Sequence, residues 1–334
     1  MFELLGICLL LAALLTFNSL ASLLTGGLWR VFGGATHCWS ALSRTRLIFV
    51  LRTFPALVAV LCALLLIVPS YLAYEPRHTG ENVSFKLALL AFISAVGIGL
   101  AVARSIAAWR STARLTADWI AQGRQITLPG VNIETYRIDH AFPVIAIVGV
   151  LKPRLFVASH VLAVLTTEEI KASLAHENGH LTAHDNLKRG VLRACRDSLL
   201  LIPSGRLLDR EWSEAAEEAA DEQAAKAGRG VALDLASALV KIARIIPHGA
   251  RPTMPAGVFL LGDEEGAGIR WRVRHLLDFA AAEPGPSLES RPFRQLLIAA
   301  GILLTTFIIT MTLSSHPILG TVHSLIERAV FALR

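Results

Sequence analysis

The chain has 334 residues, enough for one or two domains with a real core. Hydrophobic residues make up 54% of it and charged residues only 17%, where soluble domains carry about 45–50% and about 25%. This excludes an ordinary soluble globule and places the excess apolar residues in long runs. The formal net charge is +6. A basic balance points to nucleic acid only when it lies on a soluble face. Here many arginines flank apolar runs, where such charge sets membrane topology, so no nucleic-acid partner is expected.

Four apolar runs are expected to be transmembrane helices, each near the roughly 20 residues that a bilayer requires. The first, about residues 4–24 (Leu4 to Leu24), lacks the basic start and small-residue cleavage site of a signal peptide and is expected to be retained. The second covers about 54–74 (Phe54 to Tyr74). The third, Leu87 to Ala103, is shorter and extends to about 107 if it continues past Arg104. The fourth is Leu296 to Leu313, within 293–315. Arg30, Arg44, Arg46 and Arg52 lie between or at the edges of the first two spans, against only Arg77 and Lys86 between the second and third. Arg104, Arg110, Arg114 and Arg124 follow the third span, and Arg291 and Arg294 precede the fourth. The positive-inside rule then puts the first loop and the long middle segment in the cytoplasm. The N-terminus and the tail at 316–334 face outward, and the lipid bilayer is the first expected partner.

The cysteines at 8, 38, 62 and 195 form no CxxC pair, so neither a disulfide framework nor a cysteine metal site is implied. With residues 1–108 assigned to the membrane, the segment 109–292 is the one able to hold a soluble domain. It opens with an amphipathic helix pattern through Trp109, Leu115 and Ile120. Short β-like runs follow at Val131 to Ile138, Val144 to Val150 and Leu155 to Ala158, the last two separated by Gly149 and Pro153. Residues 245–268 are expected to be a mobile loop and 282–292 a linker, with helices elsewhere.

Thr166 and, three residues on, Glu169 form a capping box, predicting a helix start. Ile170, Leu174 and Leu181 supply its apolar stripe. His176 and His180 are four apart, on one face of that helix, the spacing two imidazoles need to hold one tetrahedral zinc ion. Glu177 projects beside the metal, where it can accept a proton from water. The alternative is a helix whose histidines do nothing. A zinc hydrolase also needs a third protein ligand. The acidic helix at 210–226 offers Glu214, Glu217, Glu218 and Asp221, and a merely solvated acidic face is the competing reading of each. Glu217 and Asp221 are i and i+4, so one could ligate while the other braces a histidine. His184 continues the stripe of His176 and His180, but three ligands from one helix do not easily converge on an ion.

The stretches GVLKPRLFVAS, LTTEEIKASLAHENGHLTAHDNLKR and EEAADEQAA resemble the membrane-bound gluzincin metallopeptidases. The closest resemblance is to the antibiotic-sensor (BlaR/MecR-like) family, with the related HtpX-like family a near second. It covers roughly residues 140–225 closely and the four-span layout more loosely. It implies a mainly α, multi-pass membrane protein with a zincin-like α+β metallopeptidase domain inserted between transmembrane helices three and four. It further implies one Zn2+ per chain held by His176, His180 and Glu217, Glu177 as general base, and Asp221 and Asp185 as supporting carboxylates. The partner would be a protein or peptide substrate cut at the cytoplasmic face of a bacterial inner membrane. An edge strand from residues 144–159 would align the substrate backbone, though an ordinary small-sheet core is an equal reading. A His-Pro-then-Arg signature of the HtpX-like proteins is not clearly present, with Arg272 its nominal match, so an oxyanion-stabilising residue is left unassigned. No Ser-x-x-Lys motif occurs and little follows Leu313, which disfavours drug sensing within the chain. The remaining alternatives are a signalling protein working with a separate sensor or regulator, and a non-catalytic membrane scaffold.

Overall fold

A computed structural model describes residues 2–77, 83–128, 131–199, 205–246, 267–281, 301 and 315–332. The fourth apolar run and the linker at 282–292 lie outside these residues, apart from Gly301, as does nearly all of the segment 245–268. The described chain is mostly helical with one small sheet. Helix α1 spans Phe2–Phe32 and ends in a 3-10 turn, Gly33–Cys38. Helix α2, Ala41–Cys62, passes through a π turn at Ala63–Ile67 into α3, Val68–Tyr74. Helix α4, Phe85–Gln122, follows, with Ser84 capping Leu87 N–H.

Three segments are long and apolar enough to cross a membrane: Phe2–Cys38, Ala41–Tyr74 and Phe85–Gln122. Each exceeds what a bilayer needs. At 1.5 Å per residue, a helix of 38 residues is about 57 Å long, against a hydrocarbon core of about 30 Å. The expected boundary at 108/109 falls inside α4, which runs unbroken from its apolar half into the core built around the sheet. Trp109 is exposed there, whereas Leu115 and Ile120 pack on that core and Trp119 is buried in it.

The four strands are β1 (Arg124–Ile126), β2 (Thr135–Ile138), β3 (Ile145–Val148) and β4 (Arg154–Ala158). Their order is β1-β2-β4-β3, with β2 and β4 parallel and the other pairs antiparallel. The three expected β-like runs appear as β2, β3 and β4; the first two are shorter than their apolar stretches, and β4 begins one residue earlier, at Arg154. β1 was not anticipated, because RQI has neither alternation nor a turn signal of its own. β3 is an edge strand, yet all four of its residues are buried, because helix α6 covers it.

After α5 (Ser159–Val164), α6 runs Thr167–Ala183 and α7 runs Asp185–Asp197. Then come α8 (Gly205–Ala225), α9 (Arg229–Ile245), α10 (Ala267–Ala281) and α11 (Ser315–Ala332). The sheet, α6 and α9 share a core around Phe156, which stacks on Tyr136 and meets Trp119 edge-on. A second core joins Trp29, Ile48, Leu192, Leu208 and Trp212, fastening α1 and α2 to α7 and α8. Ion pairs line this seam. Buried Arg44 contacts Glu218 at 3.1 Å and Arg52 contacts Asp209 at 3.0 Å. Arg104 of α4 reaches Asp197 at 3.1 Å. The basic ends of α2 and α4 thus lie on the same side as α7 and α8.

The capping box forms as expected and does more than start a helix. Thr166 Oγ1 accepts from Glu169 N–H, and Glu169 accepts from Thr166 N–H, Ser237 and Lys241. Burial favours the neutral form of Glu169, but Lys241, Ser237 and Thr166 outweigh it and hold its pKa below the usual value. A depressed carboxyl stabilises the fold above its unfolded pKa, and that contribution is lost as pH falls through the folded value. Thermal melting should therefore show α6–α9 docking weakening on acidification below about pH 4.5. Glu169→Gln should remove part of that acid dependence and lower the melting temperature at neutral pH. An unchanged acid limb would dismiss Glu169 as its source.

Candidate metal centre

Helix α6 carries His176, Glu177 and His180 one turn apart, and α8 lies across it. The close approach depends on Gly179. A Cβ at that position would stand 3.1 Å from Ala220 Cα and 3.3 Å from its Cβ. Ala220 sits between Glu217 and Asp221, so this contact sets where both carboxylates stand. Gly179→Val should push α8 outward, cost about 1–3 kcal/mol and carry Glu217 away from the histidines. Melting curves with and without added zinc check this; a fully retained zinc-induced shift in the valine variant would refute it.

Both histidines are oriented by carboxylates. His176 Nδ1 donates to Asp221 Oδ1 at 2.8 Å, and His180 Nδ1 donates to Asp185 Oδ2 at 2.8 Å. These bonds orient the rings, so that each Nε2 faces the Glu217 carboxylate. His176 Nε2 lies 3.6 Å from Glu217 Oε2 and His180 Nε2 lies 3.5 Å from Glu217 Oε1. Donors bound at about 2.0–2.1 Å to a tetrahedral ion stand about 3.4 Å apart. Among the described residues, His180 Nε2 is buried without a hydrogen-bond partner, and Glu217 Oε2 has only the ion-pair contact of Arg272 Nη1 at 3.1 Å. His176, His180 and Glu217 thus converge with ligand atoms all within 4.8 Å of one another, and the donor set fits zinc.

The other acidic candidates of α8 point elsewhere. Glu214 is exposed and paired with Arg210 at 2.9 Å, and Glu218 is held by Arg44. His184 closes α6 in the left-handed conformation, at φ 57, and lies exposed with Nδ1 against Thr182 O. It therefore leaves the stripe that a continued helix would have given it.

Two arginines complete the surroundings. Arg272 of α10 is buried, grips Asp221 through two bonds of 2.7 Å and reaches Glu217 at 3.1 Å. Its Nη2 rests beside the His176 ring, 3.5 Å from Nδ1 and 3.4 Å from Nε2. Arg189 of α7 donates to Glu217 Oε1 at 3.1 Å and lies over Trp212. Arg272 had only a nominal sequence match. Arg189 left no signal, since an arginine on an amphipathic helix is ordinarily a solvated one.

The field of the centre favours positive charge. Burial disfavours a charged His180, but Glu217 and Asp185 outweigh it and push its pKa up to about 10. Burial likewise opposes charge on His176, and Asp221 and Glu217 raise it. Glu217 and Asp221 resist burial and are lowered, Glu217 chiefly by His180 and Asp221 chiefly by Arg272. Glu177 is the exception. Burial pushes its pKa up, although the histidines oppose this. Its Oε2 accepts the Ile147 N–H of β3 at 3.2 Å, and Asn186 donates to the Ile147 carbonyl at 3.0 Å. Glu177, His180, Asp185, Asn186 and Arg189 line a small cleft with Ala146 and Ile147. No family model, curated protein or solved structure matches this chain.

Proposed function

We propose that the protein is a membrane-embedded zinc endopeptidase of the gluzincin type, and that His176, His180 and Glu217 hold its metal. The observation that carries this reading is the convergence of His176, His180 and Glu217, whose ligand atoms all lie within 4.8 Å of one another, with His180 Nε2 buried and without a hydrogen-bond partner among the described residues. Held by these three residues, a zinc ion would supply Lewis acidity toward a scissile carbonyl and lower the pKa of a bound water. Glu177 accepts the proton; burial has raised its pKa toward that of an effective base, and the Ile147 N–H holds one of its oxygens in place. Asp221 and Asp185 keep the imidazoles turned inward, and Arg272 balances the carboxylates of Asp221 and Glu217. The edge strand β3 lines the cleft through Ala146 and Ile147, and a substrate backbone aligned on it would displace the Asn186 amide from the Ile147 carbonyl.

The wider arrangement belongs to the same reading. The domain sits between a third and a fourth span, on the cytoplasmic face of a bacterial inner membrane, and cuts a protein or peptide. That α2 and α4 turn their basic ends toward α7 and α8 supports one common side for them. Detergent-purified full-length protein should cleave members of a quenched fluorescent peptide library, lose that activity to a chelator and regain it with zinc. A folded, zinc-loaded protein inert toward peptides and membrane-protein fragments alike would defeat the protease reading.

A further inference from the structure

Helix α8 carries a second convergent group of ligands on the face beside the first. Glu218 and Glu222 are i and i+4, and His275 comes from α10 across the seam. The ligand atoms of all three lie within 4.8 Å of one another. His275 Nε2 is 3.9 Å from Glu218 Oε1 and 4.0 Å from Glu222 Oε1. These separations are too long for direct hydrogen bonds. They are about half an ångström wider than the spacing of two donors on one tetrahedral ion. His275 Nε2 is buried and has no hydrogen-bond partner among the described residues. The ring cannot easily turn away, because Trp271 stacks on it at 5.3 Å with planes 5° apart.

The rest of the cluster leaves room for added positive charge. Arg44 reaches Glu218 through Oε2 at 3.1 Å and Glu211 at 3.7 Å. One guanidinium therefore serves two carboxylates, while Glu218 Oε1 still faces His275. Among the described residues, the Glu222 carboxylate accepts one long bond, 3.5 Å, from Ala41 N–H at the start of α2. Two carboxylates with one imidazole suit a borderline divalent ion such as Zn2+, Mn2+ or Co2+ better than Mg2+ or Ca2+, which take oxygen ligands.

We propose that Glu218, Glu222 and His275 form a second divalent transition-metal site that clamps α8 and α10 to the membrane-entering end of α2. It does not depend on the first centre being catalytic. An ion here ties the helix bearing Glu217 and Asp221 and the helix bearing Arg272 to a membrane helix through Arg44 and Ala41. Occupancy of this site stiffens the framework of the candidate metal centre.

The test is metal stoichiometry and melting temperature of the detergent-purified full chain loaded with Zn2+ or Co2+. Wild type, His180→Ala, His275→Gln and Glu222→Gln are compared. The wild type should hold two ions, and each single variant one. A metal-induced rise in melting temperature should persist in His180→Ala but shrink in His275→Gln and Glu222→Gln. Using two variants from different helices guards against one simply failing to fold. Unchanged metal content in both His275→Gln and Glu222→Gln overturns the proposal, as does a single wild-type ion that His180→Ala removes. A single ion lost in His275→Gln but kept in His180→Ala would support this site and defeat the first.

Discussion

Glu177→Gln should leave the zinc content of the His176–His180–Glu217 centre unchanged and lower kcat by about 10²–10⁴-fold. The carboxamide is nearly the same shape, and its oxygen can still accept the Ile147 N–H that Glu177 accepts at 3.2 Å. What it lacks is the ability to take a proton. At about 1.4 kcal/mol per decade, the loss is about 3–5 kcal/mol of transition-state stabilisation. The fold should not weaken, because Gln removes a carboxyl that burial already disfavours in its charged form. Glu177→Asp should fall between the two, since it keeps the base but withdraws it by one methylene. Activity of Glu177→Gln near wild type, at equal metal content, would strip Glu177 of its role as base.

Glu217→Gln should deplete the metal itself. Glu217 accepts from Arg189 and contacts Arg272 at 3.1 Å each, so its charge is opposed by two guanidinium groups. Neutralising it leaves those two cations facing His176 and His180, and a divalent ion then meets repulsion as well as a missing ligand. Zinc at this centre should be lost on dialysis, together with all peptide cleavage. Glu217→Ala should also destabilise the protein by about 3–5 kcal/mol, the cost of breaking a buried ion pair from one side. Glu214→Ala is the control on the same helix. Glu214 is exposed and, among the described residues, paired with Arg210 one turn away, so its removal should change neither metal nor melting temperature. Equal zinc in Glu217→Gln and Glu214→Ala would show that the third ligand has been wrongly assigned.

Much of the chain could be read locally, where one residue's chemistry suffices. Long apolar runs marked three of the described helices as able to span a membrane, because apolar length is a property of consecutive residues. Thr166 and Glu169 marked the start of α6 because a capping box closes within three residues. The shared face of His176 and His180 follows from helical spacing alone. Charge was ambiguous. Arg44 and Arg52 looked like topology-setting residues at a membrane edge, and in the fold they are buried against Glu218 and Asp209 of α8. Both descriptions rest on the same guanidinium, but the second requires a partner more than 150 residues away.

Amino-acid order by itself determined the apolar spans, the α6 cap and the two histidines with Glu177 between them. Each arises from interactions within a turn or two of one helix. The tertiary structure decided which acidic residues of α8 meet those histidines, because the approach of α8 across Gly179 selects Glu217 and Asp221 over Glu214 and Glu218. It also decided that Arg272 and Arg189 join them, that His184 turns away at the helix end, and that Glu218 and Glu222 meet His275. Those pairings depend on the packing distance and rotation between helices far apart in the chain, which no local pattern encodes.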